Sequence, residues 1–250
     1  MNSIVDGYVT HYERTGSGKT ILFLHGWGDN LNTFTKLMAL FKADYDVVSV
    51  DLPGFGKTDT PKEPFTLTTY AKFLRFFLDK INIDQPYCIV GHSNGGAIAI
   101  KALALGEIKP EKLVLLASSG RRTPYSAKNK LIRLVAKLAK VPILLLPNRM
   151  QKSIKKKAYA KLGSDLFVAE HLQETFKKVV SEDVTEDARL IKADTLLVYG
   201  ELDTATPVAY GENFASHIKH SQLKIVNGAD HFLHKTHHDE IAKILAEFLK

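Results

Sequence analysis

Apolar runs rich in branched side chains recur at residues 21–24, 47–50, 87–90, 113–117, 195–199 and 223–226, and helical stretches separate most of them. A strand that is apolar on both faces belongs inside a parallel sheet, because the crossovers joining parallel strands lay helices on either side of it. The sequence therefore predicts an α/β fold, a mostly parallel sheet with helices on both faces. Helices to cover it are expected at about 33–42, 67–81, 94–105, 207–218 and 238–249. Residues 8–14 alternate more loosely and predict an antiparallel edge strand. A chain of 250 residues, 45% of them hydrophobic, can enclose one sizeable core, and no repeat or low-complexity linker divides it.

The rhythm fails once. About 75 residues separate run 113–117 from run 195–199 and read as helical, where a crossover needs only about a dozen. This length predicts a helical cap, residues 121–187, inserted into a core formed by 1–120 and 188–250. Ligands of open α/β sheets bind beyond the carboxyl ends of the strands. The cap departs from such an end and is expected to roof the site. Charge collects in the same stretch. Of 34 Lys and Arg, 13 lie between Arg121 and Ser164 with no Asp or Glu among them, and the other 21 face 27 acidic residues, a net −6 outside this segment.

The start of the chain has no basic segment leading into an apolar one, and no apolar run reaches the ~18 residues of a membrane span. The single cysteine, Cys88, lies in an apolar run and has no internal disulfide partner. These features point to a cytoplasmic protein.

Chemistry is most legible at Gly91-His92-Ser93-Asn94-Gly95-Gly96, which joins an apolar strand to an Ala-rich helix. A Gly-x-Ser-x-Gly turn in this context presents a serine on a strained elbow, with glycines where a Cβ would crowd the strand and helix. Ser93 is the candidate nucleophile. A serine hydroxyl needs a base, and the base an orienting acid. Strand 195–199 runs into Gly200-Glu201-Leu202-Asp203, and strand 223–226 into Asn227-Gly228-Ala229-Asp230-His231, which places Asp203 and His231 at the same end of the sheet as Ser93. Glu201 and Asp230 are the neighbouring alternatives for the acid, and run 113–117 ends without a carboxylate. The developing oxyanion needs donors. The main-chain N–H groups of Asn94 and of Trp27, in the turn after strand 21–24, are the candidates. His25 and His92 read as packing or loop-bonding residues. His231, His234, His237 and His238 cluster in sequence without a metal-site motif, so neither metal nor cofactor is expected.

His25-Gly-Trp-Gly28, Asp51-Leu-Pro-Gly-Phe-Gly56, the elbow, Gly200-Glu-Leu-Asp203 and Gly228-Ala-Asp-His231-Phe232 occur in this order. In that order they resemble the motifs of the α/β-hydrolase superfamily, and of its small bacterial esterase-type members, over almost the full length. Gly163-Ser-Asp165 and residues 174–180 are similar to the same group. Asn94 stands where Met or Gln is frequent, and Ala229-Asp230 where Ala-Gly is usual. The resemblance implies an α/β-hydrolase fold and a serine hydrolase acting on carboxylic esters or thioesters, with Asp51 a structural loop residue. The alternatives are C–C bond hydrolysis of ring-cleavage products, or a ligand-sensing or partner-binding protein with a slow triad.

The cap adds the substrate and partner expectations. Leu131, Leu134, Val135, Leu138 and Val141 share a helical face beside a stripe of Lys130, Arg133, Lys137 and Lys140. In the apolar run that follows, Ile143, Leu144 and Leu145 are expected to line an acyl pocket. The basic stripe is a solvated face, or it meets an anionic lipid surface, an acidic carrier protein as in carrier-protein methyl ester esterases, or a small anionic ester. Few aromatics and no binding motif accompany it, so nucleic acid is not expected.

Overall fold

The carboxyl ends of β5, β7 and β8 carry the candidate site, and the sheet that aligns them has eight strands. They are β1 (Asn2–Val5), β2 (Tyr8–Thr15), β3 (Thr20–Leu24), β4 (Asp46–Val50), β5 (Cys88–His92), β6 (Lys112–Leu116), β7 (Asp194–Gly200) and β8 (Ser221–Val226), ordered β1-β2-β4-β3-β5-β6-β7-β8. The computed structural model describes residues 1–122 and 168–250. From β4 to β8 all neighbours run parallel, and β2 pairs antiparallel with β4. The expected mostly parallel sheet is present, with one correction at its margin. Residues 8–14 do not form the edge, because β1 pairs antiparallel outside β2. Asp6 (φ 47°) and Gly7 (φ 80°) make the two-residue turn between them, a conformation that suits an Asp-Gly hairpin.

Every residue of β3, β4 and β5 is buried, as helices on both faces require. Side chains alternate between two cores with the period of a strand. Leu22 and Leu24 join the core under α2 (Leu67–Lys80), α3 (Asn94–Ala104) and α6 (Val208–His217). Ile21 and Phe23 join the core under α1 (Thr35–Phe41) and α8 (His238–Leu249). These helices match the expected positions closely. Stretch 33–42 is divided, because a 3-10 turn (Leu31–Phe34), started by the Asn30 side chain accepting from Asn32 N, precedes α1.

Between β6 and β7 the described residues hold no strand. They carry a 3-10 turn (Glu170–Leu172), α4 (Gln173–Ser181) and α5 (Thr185–Ala188). These pack over the loops after β3 and β4. Leu172 fills the space beside Gly54, Thr175 Oγ1 accepts from Phe65 N at 3.1 Å, and Glu182 Oε1 accepts from Leu67 N at 2.8 Å, capping α2. Half-buried Lys101 and Asp187 join α3 to α5 as an ion pair. α7 (Leu233–Thr236) follows β8 and leads into α8. The charged stripe 130–140, Ile143, Leu144, Leu145 and Gly163-Ser-Asp165 lie outside the described residues.

Candidate active site

At the end of β5 the chain turns sharply into α3, and Ser93 occupies the turn with φ 50° and ψ −115°. A residue with a Cβ enters that region at a penalty of about 1–3 kcal/mol. The surrounding hydrogen bonds hold it there: Ser93 N donates to the Leu116 carbonyl at 3.0 Å, and its own carbonyl accepts from Gly96 N at 3.0 Å and Ser119 N at 3.1 Å. The flanking glycines are needed for space. A Cβ on Gly91 would lie 2.7 Å from Gly96 N, and one on Gly95 2.2 Å from the Leu24 carbonyl oxygen. The Ser93 hydroxyl does not cap α3, which leaves it free to face another element.

That element is the loop after β8. His231 Nε2 lies 3.0 Å from Ser93 Oγ, and His231 Nδ1 lies 2.8 Å from Asp203 Oδ2. A carboxylate only accepts, so Nδ1 carries the proton and Nε2 presents its lone pair to the serine. The Asp203 side chain is fully buried. Its Oδ1 accepts from Ala205 N at 2.8 Å and Thr206 N at 2.9 Å. Burial alone would push its carboxyl up, but hydrogen bonds from His231 and from the Thr206 main chain and hydroxyl outweigh that and hold its pKa below the ordinary range. Glu201 and Asp230 both serve the loop after β8 instead, accepting from Gly228 N and Phe232 N.

Sequence reasoning passed over Thr206. Its hydroxyl oxygen lies 2.7 Å from Asp203 Oδ2, 3.0 Å from the Ala117 carbonyl and 3.1 Å from His231 Nδ1, so it braces the carboxylate against β6. The signal was available. An Asp followed three residues later by Thr at a strand end is a side-chain turn in which the carboxylate collects the next N–H groups.

Behind His231 stand two further histidines. His92 is buried, its Nε2–H donates to the His231 carbonyl at 2.9 Å, and its ring centre lies 4.9 Å from that of His231 and 4.3 Å from that of His234. Burial, then the nearby His234 and His231, keep the His92 pKa well below the ordinary value. Burial, then Lys235 and His231, lower His234 to about 3. His234 Nε2 meets Thr33 Oγ1 at 2.8 Å. His25 accepts from Leu52 N at Nε2, and Asp51 gathers Leu31 N and Lys57 N in the space a Cβ on Gly56 would fill. All of these fix loops around the site. Among the described residues no group of three or more His, Cys, Asp or Glu side chains is placed to hold a metal ion.

The 25–28 turn closes the other side. A Cβ on Gly26 would stand 3.2 Å from Ser93 Cβ and 2.9 Å from His92 Nδ1, so this turn lies directly against the elbow. The main-chain N–H groups of Trp27 and Asn94 donate to no protein group among the described residues. The Trp27 ring packs between Phe55 and Phe176 of α4, with centroids at 4.9 and 5.1 Å. An open groove of about 510 Å³ lies elsewhere, at the amino ends of β6, β7 and β8, and none of Ser93, Asp203 and His231 lines it.

Residues 19–142 match the family described as alpha/beta hydrolase fold, and residues 170–250 that described as TAP-like protein. With the sheet order and the elbow, this makes the chain a member of the α/β-hydrolase family and a hydrolase. It is 28% identical over 249 residues to the pimeloyl-[acyl-carrier protein] methyl ester esterase of Neisseria meningitidis, covering 93% of this chain and 94% of that one. It is 26% identical over 263 residues to the AB hydrolase superfamily protein YisY of Bacillus subtilis, covering 94% and 93%. The esterase from Exiguobacterium antarcticum shares the fold with a TM-score of 0.77 at 22% identity, covering 99% of this chain and 98% of that one. Among the described residues no helix is long and apolar enough to cross a membrane.

Proposed function

We propose that this hydrolase is a carboxylesterase that cleaves carboxylic ester or thioester bonds through an acyl-Ser93 intermediate. The observation that carries the reading is the hydrogen-bonded series Ser93 Oγ, His231 Nε2, His231 Nδ1, Asp203 Oδ2 at the tip of the elbow. Ser93 Oγ attacks the substrate carbonyl as His231 Nε2 takes its proton. Asp203 stays ionised and holds the imidazolium. The oxyanion sits on the N–H groups of Trp27 and Asn94. His231 then protonates the leaving alcohol or thiol, and a water activated by the same nitrogen releases the acid.

In this reading residues 121–187 form the cap that roofs the site, and the described part of that stretch already covers Trp27 and Gly54. The 13 positive charges between Arg121 and Ser164 give it affinity for an anionic partner, either an acidic carrier protein or an anionic lipid surface. The name of the Neisseria relative supports the carrier. Ester substrates agree with the same relative.

A fluorophosphonate probe should label the chain once and inhibit ester turnover, and Ser93→Ala should abolish both. Labelling that survives in Ser93→Ala would place the nucleophile elsewhere. Turnover of dienolic diketones but not of esters would move the reaction to C–C hydrolysis.

A further inference from the structure

We propose that the side chain of Asn94 is the polar anchor for the acyl group, and that the preferred substrates are esters of hydroxy-substituted acids. The inference rests on the ester-hydrolase reading and names its substrate class. Asn94 is only 4% exposed, yet neither its Oδ1 nor its Nδ2 has a hydrogen-bond partner among the described residues. Buried carboxamides in folded proteins are nearly always paired, and an orphaned donor and acceptor on one side chain weaken folding for no structural return. A substrate entering the site can supply the missing partners.

The helix geometry says where it points. Successive residues of α3 turn by about 100°. Gly95 abuts the carbonyls of Leu24 and His25, and Gly96 abuts Ser118 Oγ, so these two face the sheet on either side of β5. Asn94 lies one step back from Gly95, in the sense opposite to Gly96. Its side chain therefore leaves α3 away from the sheet, on the flank where β3 and the 25–28 turn lie. There a second orphan occurs, because Trp27 Nε1 is also buried and unpaired among the described residues. Each segment that offers a main-chain N–H to the oxyanion thus also carries an unpaired polar side-chain atom.

An acyl group on Ser93 with its oxygen on those two N–H groups runs past the side chains of the same two residues. A hydroxyl on that chain accepts from Asn94 Nδ2 and donates to Asn94 Oδ1. A keto oxygen accepts from Nδ2 or from Trp27 Nε1 but leaves Oδ1 orphaned. A plain methylene leaves all of them unpaired. The order of preference is hydroxyl, then keto, then unsubstituted.

The test compares kcat/KM for methyl esters of butanoic, 3-oxobutanoic and 2-, 3- and 4-hydroxybutanoic acids, each normalised to its hydroxide-catalysed rate. The native chain, Asn94→Leu and Asn94→Ala are compared. In the native chain one hydroxy ester should exceed butanoate by about tenfold or more, with the keto ester between them. In both variants that ratio should fall to near one, and the midpoint of thermal unfolding should hold or rise as a buried orphan is removed. A native ratio near one for every hydroxy ester overturns the inference, as does a ratio retained in the variants. A lowered unfolding midpoint with an unchanged ratio assigns Asn94 to packing. If no ester is turned over, the ester reading itself falls, whereas turnover without the order removes this inference alone.

Discussion

Replacing His234 by Gln should flatten the acid side of the stability curve. In the folded chain His234 is 2% exposed, and burial, then Lys235 and His231, hold its pKa at about 3 instead of 6.5. The unfolded chain takes up a proton near 6.5 and the folded one does not. Between these values the unfolded state binds more protons, so the stability from His234 is complete above about 6.5 and is lost as pH falls toward about 3. The slope approaches about 1.4 kcal/mol per pH unit once the unfolded histidine is mostly protonated, so a drop from pH 6.5 to 4.5 removes about 2 kcal/mol. That is a large part of the about 5–15 kcal/mol that holds a typical domain. His92 adds loss of the same sign, while Asp203, lowered from 3.8, acts only below that window. Gln keeps an N–H donor for Thr33 Oγ1. Urea unfolding at pH 6.5 and 4.5 gives a difference for each protein, and His234→Gln should lose about 2 kcal/mol less than the native chain. Parallel losses would show that His234 takes its proton while folded and would refute the reasoning.

Other perturbations read the site directly. Thr206→Val removes the hydroxyl 2.7 Å from Asp203 Oδ2, and kcat should fall about tenfold with KM little changed in steady-state ester assays. Gly26→Ala places a Cβ 2.9 Å from His92 Nδ1 and 3.2 Å from Ser93 Cβ, so the 25–28 turn must move and fluorophosphonate labelling should slow by about tenfold or more. Vesicles with anionic lipid and an acidic carrier protein should each be tried against the full chain; binding to either should weaken steeply with added salt, and salt-independent binding would exclude the basic segment as its cause.

The parallel strands were legible because burial on both faces leaves an unbroken apolar run, as at β3, β4 and β5. β1 was not, since Asn2–Val5 is short and mostly exposed and so lacks that mark, although Asp6-Gly7 signals the turn beside it. Ser93, Asp203 and His231 were legible because each ends a strand that could be read. The position of Thr206, and the packing of His92 against His234, depend on how separate loops meet. His234 follows His231 by three residues, and nothing in that spacing says that it turns inward to His92 while His237 stays half-buried.

Gly120 and Val184 are joined by a hydrogen bond of 2.8 Å from the Val184 N–H to the Gly120 carbonyl, and Arg122 N donates to Asp183 Oδ2 at 2.9 Å. The long excursion of chain after β6 thus leaves and returns through one doorway, beside the Ser119 N–H that steadies the carbonyl of Ser93. Among the described residues, none of the bonds that hold Ser93 in its turn reaches a residue between those posts, whereas Thr175, Phe176 and Glu182 from that stretch bond or pack on the loops after β3 and β4. Substitutions between residues 122 and 183 therefore leave the shape of the elbow, and the side chain of Asn94 beside it, to the core.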